Sequence, residues 1–150
     1  MLGRRVNAPE AARELCDLVT VNYEDVFEVM IRDAECLDAE DWAAKIFLGA
    51  PDALRAFLDR AWSAAGLKSR NESFEDMLIS RVVKKKPNAV VLKTRSHLGM
   101  EVRVVVYVLE SRIGLATFMQ LENLTGRLVW SVMAPVHRKI APYLLACAAQ

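Results

Sequence analysis

The chemistry open to this 150-residue chain rests on few side chains. His137 is one of two histidines and stands in a segment of helical periodicity. Imidazole changes charge near neutrality, so a histidine turned toward an interior is a candidate acid or base. The plainer reading is a helix-flank histidine bonded to a backbone carbonyl or to water. Lys93, Arg95 and His97 alternate along one stretch. Pointing inward from a strand, they could receive a carboxylate or enolate of a ligand. Turned outward by a bulge, they are a solvated edge, because inward lysine and arginine need partners. Cys16, Cys36 and Cys147 offer no pair at metal-ligand spacing with the histidines, so small reduced thiols are expected, with no metal and no cofactor. No GxSxG, P-loop, Rossmann glycine triplet or HExxH occurs.

Composition narrows the partners. Twenty basic residues against nineteen acidic leave a net charge of +1, which gives no global field for nucleic acid or an anionic membrane. The run Lys84-Lys85-Lys86 has no interleaved aromatics to stack bases and reads as a turn running to Asn88. No apolar run reaches the roughly 20 residues of a spanning helix, and the basic N-terminus lacks a signal-peptide core. An odd cysteine count without CxxC spacing suits a cytoplasmic protein. Acids cluster from Glu24 to Asp41 and bases from Arg81 to Arg103, regions that could meet within the monomer or across a homodimer.

The elements that must position these residues follow from periodicity. One domain is expected over 1–150, with 1–8 a flexible arm. A short helix is expected near Ala11 to Cys16, then a strand within Leu18 to Arg32, where Val19, Val21, Tyr23, Asp25, Phe27, Val29 and Ile31 alternate. Two short helices follow. Asp38 caps Ala39 to Leu48, and Pro51 opens a second with a stripe of Leu54, Phe57, Leu58, Ala61 and Trp62. Lys68 to Glu75 reads as a loop and Met77 to Val83 as a strand. Leu98-Gly99 and Ser111-Arg112 read as two-residue hairpin turns. That register puts Met100, Val102, Val104, Val106 and Val108 on one face with Ile113, Leu115, Thr117, Met119 and Leu121. It also puts Lys93, Arg95 and His97 on that face. The last segment, Asn123 to Gln150, is a long helix whose buried stripe is Val129, Val132, Met133, Val136, Ile140, Tyr143, Leu144 and Cys147, with Pro142 on the far side.

The fold class is therefore α+β: a curved antiparallel sheet of about five to six strands wrapped on a long C-terminal helix. That order, with Gly126-Arg127, Trp130, Pro135, His137-Arg138 and Pro142, resembles the START-like helix-grip superfamily, near its polyketide cyclase and dehydratase-like members. The resemblance covers nearly the whole chain and implies an apolar ligand held between sheet and helix. The expected wall is Arg95, Val104, Val106, Thr117, Met119, Trp130, Met133 and His137. Three functions remain open: a binder of a small apolar or amphipathic molecule, a cyclase- or dehydratase-type enzyme, and an interaction module with a packed interior. In the enzyme His137 or His97 would be the acid-base and Arg95 the oxyanion partner.

Overall fold

The computed structural model describes residues 2–150. Arg4–Arg5 form a short strand β1, and Glu10–Leu15 a helix α1. The arm expected over 1–8 is thus tethered, apart from Met1, which lies outside the described residues. Arg4 and Arg5 pair with Glu28 and Phe27, and the Gly3 amide donates to the Pro142 carbonyl at 3.2 Å. β2, Tyr23–Met30, is shorter than the alternating stretch that predicts it.

After β2 come the two expected helices, α2 (Ala39–Phe47) and α3 (Asp52–Ala64). The Asp38 carboxylate accepts from the Asp41 amide and caps α2. The α3 stripe is only partly buried: Leu58 is buried, whereas Phe57 is 45% exposed. The expected loop holds over 68–73, but a third helix, α4 (Phe74–Arg81), takes its last residues and most of the expected strand, of which only Val82 and Val83 are extended. Ser73 caps α4 by accepting from the Asp76 amide, and Glu75 and Asp76 lie in its first turn, where acids are favoured.

The remaining strands are β3 (Val82–Lys86), β4 (Ala89–Ser96), β5 (Met100–Leu109) and β6 (Arg112–Leu121). Lys84 to Lys86 belong to β3 rather than to a turn; Pro87-Asn88 alone turns the chain. All pairings are antiparallel, and the curved sheet runs β1-β2-β6-β5-β4-β3. β5 and β6 carry the expected valine face into the main core. A smaller cluster of Val26, Val91, Val105, Tyr107, Ala116 and Phe118 lies on the other face, against α1.

The last helix, α5, spans Leu124–Ala148, and the Asn123 side chain caps it by accepting from the Gly126 amide. Its buried face is one residue, about 100°, away from the expected stripe. Trp130, Ala134, Ala141, Leu145 and Ala148 are buried in the main core. Of the expected stripe Leu144 is buried too, Val129, Met133 and Ile140 pack half-buried at its edge, and Val132, Val136 and Tyr143 are exposed. Small residues let the helix approach the strands closely, and the branched ones are left at its flank. Pro142, expected on the far side, is buried.

Candidate functional site

Between the sheet and the two helices α3 and α5 lies a cavity of about 230 Å³. Phe57, Leu58, Ala61 and Trp62 of α3 form one wall, while Leu58, with Leu54 and Trp62 beside it, also packs on the main core. Val102, Val104, Leu115, Thr117 and Met119 form the floor, and Trp130, Val132, Met133, Val136, His137, Ile140 and Ala141 the wall from α5.

Six of the eight wall residues expected from sequence line it: Val104, Thr117, Met119, Trp130, Met133 and His137. Val106 does not. It faces the same way, two residues along β5, but is fully buried in the main core. Arg95 does not either. Ser96 pairs with Met100, so the β4–β5 loop holds three residues, His97, Leu98 and Gly99, with Gly99 at φ +96°. The added residue flips the strand relative to a two-residue turn. Val90, Leu92, Thr94 and Ser96 face the core side, while Lys93 and Arg95 point away. Arg95 pairs with Glu122 at 3.0 Å in solvent, and His97 is exposed. Neither can serve the cavity. The β5–β6 turn also differs from its reading, with Leu109 opposite Arg112, but by two residues in pairing, which preserves the faces.

Behind the lining residue His137 lies Asp25, one of the acids clustered from Glu24 to Asp41. Its side chain is fully buried. His137 Nε2 lies 3.0 Å from one of its oxygens and 3.2 Å from the other. Tyr23 Oη donates to Asp25 Oδ2 at 2.5 Å, and Arg138 Nε donates to Tyr23 Oη at 3.2 Å. His137 is therefore bonded to a carboxylate, and not to a carbonyl or to solvent alone. Burial first, then the bond to Asp25, pushes the Tyr23 phenol up to about 12. The rings of Tyr23 and His137 stand edge-on to Trp130, at centroid distances of 5.0 and 5.2 Å. Trp130 Nε1 is buried without a hydrogen-bond partner. One signal could have found Asp25: it is in phase with Tyr23, Phe27 and Val29, an acid on the apolar side of its strand.

Arg103, 3% exposed, is held by Asp17 and Glu101, and Lys85 meets Glu40 at 3.0 Å, so the basic and acidic regions touch within the monomer. All three cysteines are free, and among the described residues no three His, Cys, Asp or Glu side chains cluster as metal ligands would. No helix among the described residues is long and apolar enough to cross a membrane.

A model of a family described as protein of unknown function, DUF2867, matches residues 18–144. The chain belongs to that family. Neither the curated proteins nor the solved structures yield a match.

Proposed function

We propose that this DUF2867 protein binds a small apolar or amphipathic molecule in the cavity between its sheet and α5. The carrying observation is the cavity's lining: apolar throughout except for Thr117, the Trp62 and Trp130 indoles and His137. Apolar lining with a few convergent polar groups is the usual make-up of a small-molecule site. A volume of about 230 Å³ is just under the roughly 300 Å³ at which common ligand pockets begin, so the ligand is small. Its body lies on Val104, Met119 and Met133, and its polar end meets His137. Similarity to START-like helix-grip proteins, near the polyketide cyclase and dehydratase-like members, supports the same reading. The free cysteines suit a reducing cytoplasm.

Native mass spectrometry of freshly purified protein tests this. A co-purified mass that is lost on denaturation is the expected result. A bare protein mass, together with no thermal shift from a panel of small apolar alcohols and acids, would sink the proposal.

A further inference from the structure

We infer that Asp25 and His137 form an acid–base dyad, with His137 Nδ1 as the base toward an apolar substrate carrying one weakly acidic C–H or O–H. The inference rests on the cavity reading above and adds a reaction to it. Geometry carries it. The Asp25 side chain is 0% exposed and sits on the apolar side of β2, where an ionised carboxylate needs donors. Tyr23 and His137 are the two it has. A carboxylate only accepts, so a neutral His137 must keep its proton on Nε2 to bond it. The lone pair then stays on Nδ1, which has no hydrogen bond to the rest of the protein among the described residues. His137 lines the cavity, so a bound molecule can come within reach of this base. An imidazole turned outward, or bonded through both nitrogens, would have no such use.

The step balances without a co-reactant. The substrate's C–H or O–H bond breaks, its electron pair stays on the substrate, and the proton moves to Nδ1. The imidazolium so formed is held through its Nε2–H by the Asp25 carboxylate. Return of the proton to another atom of the same molecule completes an isomerisation. The groups facing His137 are Asp25 and Tyr23 from β2, with Arg138 beside it bonded to Tyr23. The walls from α2, α3, β5 and β6 bring no charge. His137 is then the catalytic residue and Asp25 the positioning residue.

A reporter for base strength in an apolar site is 5-nitrobenzisoxazole: removal of its C3 proton breaks the N–O bond and releases a coloured nitrile phenolate. The wild-type protein should bind it saturably and open it. His137→Gln should lose on the order of 10² or more of that rate. Asp25→Asn should lower kcat with KM unchanged and alter the pH profile, which lost packing alone would not do. Nitrogen NMR of the unaltered protein provides a readout independent of any variant's folding: neutral His137 should carry its proton on Nε2. Saturable binding with a rate unchanged in His137→Gln, or a proton on Nδ1, overturns the dyad and leaves the cavity reading standing. Absence of binding by 5-nitrobenzisoxazole and by the alcohols and acids above overturns both.

Discussion

Burial leaves the Asp25 carboxylate dependent on two donors, the Tyr23 hydroxyl and the His137 imidazole. Removing one partner of a buried charge costs more than the bond itself, because the charge remains. Tyr23→Phe should therefore destabilise the protein by about 1.5 to 3 kcal/mol at neutral pH, the usual worth of a bond to a charged group. Its pH dependence has a definite sign. The phenol titrates near 10 in an unfolded chain and is pushed up to about 12 here, by burial and by Asp25. The folded state holds this proton more tightly, so the contribution is complete below pH 10 and is lost as pH climbs through 12. Tyr107, raised by burial and by Glu28, adds a similar loss to both proteins. The stability gap between wild type and Tyr23→Phe should shrink across that window in denaturant titrations; a constant gap would mean the phenol does not bond Asp25. The Trp130 indole tells the opposite story. Its nitrogen has no partner, so Trp130→Phe should cost only ring area, with no penalty for a lost bond. At this scale the sequence was half legible. His137 stood out as a titratable group near an apolar stripe, but its partner is 112 residues away and only strand phase marked it.

Among the elements, legibility depended on whether an error changed parity. Mistaking the β5–β6 pairing by two residues left every side chain on its correct face, whereas one extra residue in the β4–β5 loop moved Arg95 to the opposite side. Helix α4 was missed because it is short and follows polar residues, although Ser73 with Glu75 and Asp76 is a start signal. For α5 two interleaved sets share the helical period. Residue size drew the reading toward Val132 and Val136, but the close approach to the sheet selected Ala134, Ala141 and Ala148. That approach is set at the N-terminus of α5, where a Cβ on Gly126 would collide with the Gly99 carbonyl. The colliding atom is backbone in a loop already held at φ +96°, so it cannot simply turn aside. Gly126→Ala should lift the helix start and cost about 1 to 3 kcal/mol, the range for overpacking a close contact. A melting temperature equal to wild type would show that the junction gives freely.

Across the whole molecule, the cavity is the space bounded by the sheet, α3 and α5, lined on α5 by residues from Trp130 to Leu144. The sheet-plus-helix layout was readable, because the period-2 valines and the 3.6-period finale each need a partner surface. The cavity's extent was not, because it depends on how far α3 stands off. The distinction has energetic consequences. Leu58 is 7% exposed and belongs to both core and wall, so Leu58→Ala should cost about 2 to 4 kcal/mol. Val136, 44% exposed, should cost well under half as much when cut to alanine. Filling the void separates stability from binding more cleanly. Ala61 lines the cavity from α3, and Ala61→Leu adds apolar bulk there without removing any hydrogen bond. Its own stability should stay within about 1 kcal/mol of wild type, as burial of new methyl groups offsets any strain. In wild type, a ligand such as 1-octanol at one hundred times its dissociation constant should add about 2.7 kcal/mol. That is about 5 to 10 °C in melting temperature for a chain of this length. Ala61→Leu should abolish that shift while melting near the wild-type temperature without ligand. An undiminished shift would mean that the ligand sits elsewhere and that the space beneath α5 is packing left unfilled.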